Sequence, residues 1–386
     1  MVNSDAMSSS SIPSNSTPSS LMNNHSINNH SITDMMAGCL QGLKVVDLTR
    51  NLPGPFATRL LADLGAEIIK IEPENGDPGR AFGELFHGLN HGKHCEKIDF
   101  RSAAGIETIK AHIKNADVML DSFRPEVLLG MGLDAATLHA INPKLVMVSI
   151  TGYGIADALD ETAESWTTKA GHDINFMAMS GTLAQLKTAT GEQAMPNMQF
   201  ADLAGGSDTA VIALLAAVFA TKNTGRGRHI AVSMTHSLYH HLIMPKATAN
   251  MMQGISGHYP EPQNDFLGGG LPCYRLYQTQ DGRHMAVGSL ELKFWQLLCQ
   301  TLKLEEHANA HWQRGFMPNT AESNKAAQAM TEKFASQTLA HWQQVFSDVD
   351  ACVTPVLTLA EAQKHPLFAH QDTYQATAGW QGLTMA

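Results

Sequence analysis

Two side chains in the middle of this sequence have the types that proton chemistry at carbon requires. His172 stands in Gly171-His172-Asp173-Ile174-Asn175-Phe176, and Asp202 follows thirty residues on, ahead of Gly205-Gly206. A base that removes a proton and an acid that delivers one are the minimum set for moving hydrogen on and off a carbon. Spacing alone does not say whether the two converge. Each also has a plainer reading: His172 as a core histidine, and Asp202 as an ordinary N-cap of the apolar helix that follows. A helix start favours the ionised form of a carboxyl through the helix dipole, so Asp202 is expected as a bare carboxylate able to accept a proton.

The elements that must hold these residues belong to a large, acidic, thiol-poor chain. At 386 residues there is room for two domains, and 44% hydrophobic residues can fill two cores. The formal charge of −10 argues against nucleic acid as a partner. Five cysteines without a CxxC pair read as reduced thiols in a cytoplasmic protein, not as a disulfide framework. His236, His240 and His241 share helical spacing, but no acidic or cysteine partner recurs with them, so no metal site is expected. The longest apolar run, Ala210 to Ala220, falls short of the roughly 18 residues of a membrane helix. Residues 1–37 are rich in Ser, Asn and Met and read as a disordered tail.

From Leu43 the pattern alternates. An apolar run (43–48), the Pro53-Gly54-Pro55 turn, a helical period ending at Gly65, and a second run (67–72) make a βαβ unit. Helical and strand patterns then repeat to the run 145–150, which enters Gly152-Tyr153-Gly154. Loops at the carboxyl ends of parallel strands are where open α/β sheets bind ligands. Residues 155–169 read as an exposed loop, and 208–221 and 233–252 as long helices. A Gly- and Pro-rich linker begins at 254. It leads to a hairpin (272–288), an amphipathic helix from Lys293, further helices, and a strand-like return near 350–357. The expectation is an α/β fold: a Rossmann-like parallel-sheet large domain over 38–253, completed by 351–386, and a linker with a smaller α+β domain over 254–350.

Several of these stretches resemble the family III CoA-transferase superfamily: residues 40–48, Pro53-Gly54-Pro55, residues 61–72, and 116–118 through Phe123-Arg124-Pro125. Gly171–Phe176, Asp202, Asp281-Gly282-Arg283 to Glu291, and Asp350-Ala351-Cys352 to Pro355 are similar to its α-methylacyl-CoA racemase branch. The resemblance implies two chains interlocked as a homodimer, with the active site between the large domain of one and the small domain of the other. It implies an acyl-CoA thioester as substrate and no separate cofactor, coenzyme A being part of the substrate. His172 and Asp202 would exchange protons with the α-carbon of a 2-methylacyl-CoA, and Glu291 would support the histidine. Contacts to coenzyme A would come from Pro53, Arg59, Arg80, Lys93, Arg124, Gly152, Tyr153, Gly154 and Asp173. In the transferase branch the residue at Asp202 is a nucleophile that passes through an aspartyl thioester, and that branch lacks the histidine. A non-catalytic acyl-CoA binder is the remaining alternative. The sequence departs from the family in having no basic residue near Gly130, a longer loop after Gly154, and Thr235-His236 where an acid is usual.

Overall fold

In the computed structural model, the described residues are 38–156 and 164–368. Six parallel strands form the main sheet: β1 (Lys44–Asp47), β2 (Glu67–Glu72), β3 (His94–Lys97), β4 (Val118–Asp121), β5 (Val146–Thr151) and β6 (Arg228–Ser233), in the order β3-β2-β1-β4-β5-β6. The central strands read as unbroken apolar runs because both faces are covered. Val45, Ile68, Val118, Leu120, Val146 and Val148 face one core. Val46, Ile71, Met119 and Met147 face the other. The order reverses between β1 and β4, which makes the carboxyl ends of these two strands the switch-point crevice.

A second, antiparallel sheet of β7 (Tyr274–Gln278), β8 (His284–Gly288) and β9 (Val353–Pro355) packs on Trp295, Leu298, Phe334 and Trp342. Residues 351–355, expected to rejoin the large domain, instead close this small sheet: β9 pairs with β8, and Ala351 and Val353 are buried in the small core. The expected tail (1–37) and the final stretch (369–386) lie outside the described residues.

Two helical readings change. The helix expected over 233–252 is two, Met234–His241 and Ile243–Ser256, broken at Leu242. Pro245 cannot donate to the carbonyl of His241 and its ring would clash there, so one continuous helix is blocked. The helix expected from Asp208 is preceded by a π-helical turn, Ala201–Asp208, which runs straight into Thr209–Thr224. Together they span 24 residues, long and apolar enough to cross a membrane by length and composition, contrary to the reading of the apolar run alone. In this fold one side of that helix covers the parallel sheet through Ala210, Leu214 and Ala217, while Ile212 (70%) and Phe219 (69%) remain exposed. The loop expected to be exposed over 155–169 is partly packed inward, with half-buried Trp166 against Tyr153; its residues 157–163 lie outside the described set.

Candidate active site

The glycine loop after β5 seats the histidine segment. Tyr153 is buried, with its ring 5.1 Å from Phe176 in an edge-to-face contact and 5.3 Å from Trp166. A Cβ at Gly152 would lie 2.3 Å from the Phe176 ring, and one at Gly171 would lie 2.6 Å from it. Both positions must therefore be glycine for Phe176 to nest there. Burial of that ring, worth roughly 1.5–3 kcal/mol, anchors the helix Asp173–Ser180. Gly152 and Tyr153, read from sequence as ligand contacts, thus do packing work. Gly154 takes φ 102° at the turn, a conformation only glycine adopts freely.

His172 is left exposed at the N-terminus of that helix. Its carbonyl accepts the Asn175 N–H at 2.8 Å, and its own N–H donates to Asn175 Oδ1 at 3.0 Å. This reciprocal pair holds the backbone and leaves the imidazole at the helix mouth. The next residue makes the connection to the second segment. Asp173 Oδ1 accepts the N–H of Ala201 at 2.7 Å and of Asp202 at 3.0 Å. The residue bonded covalently to His172 is therefore hydrogen-bonded to the main chain of Asp202, and the two segments meet.

The Asp202 carboxyl has no hydrogen bond to any side chain or amide among the described residues. Burial, aided by the negative charge of Asp173, pushes its pKa up to about 7. The helix-dipole expectation of a bare carboxylate is overturned: desolvation outweighs a dipole effect of about 1 kcal/mol. Burial also raises Asp173, against the two amides that favour its charge.

Glu291 stands exposed at the N-cap position of the helix Leu292–Leu302 without a side-chain capping bond, and among the described residues it makes no hydrogen bond or ion pair with His172 or Asp202. Of the three expected catalytic residues, His172 and Asp202 lie on segments joined through Asp173, and Glu291 lies on the small domain.

Three of the expected phosphate contacts are spent internally. Arg59, 6% exposed, binds Asp63 at 2.6 Å and the Gly88 carbonyl at 2.5 Å. Arg80 makes a bidentate pair with Glu72, both contacts at 2.7 Å, and this partner raises its pKa. Lys93 is buried on Asp47 (3.3 Å), the Pro55 carbonyl (2.8 Å) and Asn90 (3.0 Å). Burial pulls its pKa down to about 8 against the attraction of Asp47. The same burial would raise Asp47, but Lys70, Lys93 and the hydroxyls of Thr49 and Thr58 hold it down at about 2. This network braces the turn that begins at Pro53. Pro53 is itself buried at the start of the helix Pro53–Asp63. Arg124 alone among the expected cations is exposed and unpaired among the described residues.

A residue that the sequence reading passed over joins it. Arg50 follows β1, its N–H donates to Ser122 Oγ at 3.1 Å, and its guanidinium lies 4.9 Å from the Phe123 ring centre. Arg50 and Arg124 thus stand on the two loops that flank the switch point. The strand-end rule that singled out the glycine loop after β5 would have found Arg50 had it been applied to β1.

Comparison with known proteins identifies the family. The sequence model of CoA-transferase family III matches residues 40–383. The chain is 33% identical to the alpha-methylacyl-CoA racemase of Mus musculus over 328 residues, 84% of this chain and 80% of that protein. It is 26% identical to the succinyl-CoA:glutarate CoA-transferase of Homo sapiens over 340 residues, 86% of this chain and 74% of that protein. Among solved structures, a CAIB/BAIF family protein from Brucella suis superposes with a TM-score of 0.69 at 28% identity, covering 86% of this chain and 87% of that one. With nearly the whole described chain matched and the six-stranded parallel sheet and small antiparallel sheet both present, this protein belongs to CoA-transferase family III.

Proposed function

We propose that the protein inverts the α-carbon of a 2-methylacyl-CoA thioester by proton transfer between His172 and Asp202. The observation that carries this is Asp202: an unpartnered carboxyl, joined through Asp173 to the histidine segment and raised to about 7. At neutral pH such a group is present in both forms, as one that must accept a proton in one direction and donate it in the other requires. For one epimer, imidazole takes the α-proton and the carboxylic acid delivers its own to the opposite face. For the other, carboxylate takes and imidazolium gives. The net change is one inverted centre and one proton moved from carboxyl to imidazole, or the reverse; exchange with solvent resets the pair before the next turnover in the same direction.

The enolate between the two steps needs donors at its oxygen. The amides of Ala201 and Asp202 are committed to Asp173. The first two amides of the helix Asp173–Ser180 have no partner within their own helix and are the ones available at this mouth. The coenzyme A portion is assigned to the β1/β4 crevice, with Arg50 and Arg124 on its phosphates. The exposed Ile212 and Phe219 are assigned to a homodimer in which a second copy supplies Glu291.

The test is exchange. Purified protein, a 2-methylacyl-CoA and deuterated water should give α-deuterated thioester of both configurations, followed by NMR. A thioester that binds and keeps its α-hydrogen would exclude the reading. Transfer of CoA between carboxylates is the second reading, favoured by the same lack of partners at Asp202, which an attacking oxygen also needs. Its raised pKa works against that role, because the nucleophile must be ionised. Hydroxylamine added during turnover decides: a hydroxamate at Asp202 supports transfer.

A further inference from the structure

We infer that Ser207 is a positioning residue for Asp202, its buried hydroxyl holding the π-turn and thereby the direction of the carboxyl; this rests on the proton-transfer reading of Asp202. The turn Ala201–Asp208 is π-helical over its whole length, a geometry that is rare and frequently found at functional sites. Nothing in its residue types favours it. Its causes are external and lie on three sides.

At the front, Asp173 takes the N–H groups of Ala201 and Asp202. Around the middle, the chain is pressed between two neighbours. A Cβ on Gly205 would come 2.9 Å from the Met234 carbonyl, and one on Gly206 would come 3.0 Å from Pro53 Cβ and 3.2 Å from Met234 Sδ. At the back is Ser207, which has no exposed surface. Its Oγ lies 2.6 Å from the Pro53 carbonyl and 3.0 Å from the Asp202 carbonyl. A hydroxyl has one proton, so the shorter contact to Pro53 is the principal bond and Asp202 shares it.

Both ends of the Asp202 peptide frame are therefore gripped by side chains: its N–H by Asp173, its C=O by Ser207. The Pro53 end is not free to follow a shift. Lys93 binds the Pro55 carbonyl, Thr58 the Gly54 carbonyl at 3.2 Å, and Lys70 the Thr49 carbonyl at 2.8 Å. Ser207 thus ties the turn carrying Asp202 to the braced turn after β1. The offset of five residues between Ser207 and Asp202 matches the π register. Reversion to α-helical winding would remove one residue from the turn and swing the preceding side chains by about 100° around the axis. Asp202 would then face away from the histidine segment.

The experiment measures α-hydrogen exchange in deuterated water for wild type, Ser207→Ala, Ser207→Cys and Asp202→Asn. Cysteine keeps the shape of the side chain at slightly greater bulk, with a feeble donor, and serves where the alanine variant does not fold. Ser207→Ala should lower kcat about tenfold, equivalent to about 1.4 kcal/mol, and leave KM within twofold. The pH-rate limb assigned to Asp202 should move down by at least half a unit as the carboxyl gains water, with Ser207→Cys in between. Folded Ser207 variants with lowered Tm but wild-type kcat and pH profile would reduce the hydroxyl to a structural contact and overturn the inference. Asp202→Asn separates the two claims. If that variant exchanges at the wild-type rate, the proton-transfer reading itself fails. If it is inactive while both Ser207 variants match wild type, only the role of Ser207 fails.

Discussion

Asp202 sets the behaviour expected at the scale of single residues. Its ordinary pKa of 3.8 is raised to about 7 in the folded chain. Between those values the native state binds more protons than the unfolded one. The stability this group contributes is therefore full below about pH 4 and is lost as pH rises through 7. Asp202→Asn cannot ionise, so it should be more stable than wild type at pH 8 and matched to it at pH 4. The gap should be about 2 kcal/mol once partial exposure is discounted. Denaturant titrations at the two pH values check this. Asp121, buried and raised to about 6 by its burial, adds a slope of the same sign to both proteins, so the difference between variants is the quantity to read. In activity, the same substitution should cost 10²- to 10⁴-fold in exchange, the usual contribution of a general acid or base.

At the scale of elements, the site depends on close approaches that side-chain chemistry does not reveal. Gly171→Ala places a methyl against Phe176 and should destabilise by about 1–3 kcal/mol. Because the displaced segment carries His172, exchange should fall at least tenfold even where the variant remains folded. Gly130→Ala, in a helix with open space around the new methyl, is the control and should be neutral or slightly stabilising. Thermal denaturation and exchange rates on the pair separate packing from general glycine effects. The strand-end loops make a different prediction. Arg50→Ala and Arg124→Ala should each raise KM for a CoA thioester about tenfold with kcat nearly unchanged, since they hold phosphate far from the reacting carbon. The penalty should shrink in high salt, where exposed charges are screened.

At the scale of the molecule, the proposed site draws on two chains. Glu291 lies on the small domain with no hydrogen bond or ion pair to His172 among the described residues, and Ile212 and Phe219 are exposed. In the proposed homodimer a second copy would cover Ile212 and Phe219 and supply Glu291. Mixing an inactive His172→Ala chain with an inactive Glu291→Gln chain, after partial unfolding to exchange subunits, should restore part of the exchange activity. Each mixed dimer would hold one intact site. Mixtures no more active than their components would show that Glu291 serves its own chain or does not serve the site.

The sequence by itself determined what short-range physics controls. Alternating apolar runs, the Pro53 turn and the Gly65 stop specified the parallel strands and their helices. The Gln280-Asp281-Gly282 turn marked the β7–β8 hairpin, and a cluster of motifs pointed to the family. It also singled out His172 and Asp202. What only the tertiary structure decided is how side chains far apart in the chain share one space. Arg59, Arg80 and Lys93 look like free cations in a sequence. Their pairing with Asp63, Glu72 and Asp47 depends on burial, which charge patterns do not record. The π-turn depends on Asp173, Pro53, Met234 and Ser207 converging on one segment. The titration of Asp202 follows from burial: a local dipole argued for the charged form alone, and desolvation by residues distant in sequence raises its pKa to about 7, where both forms coexist.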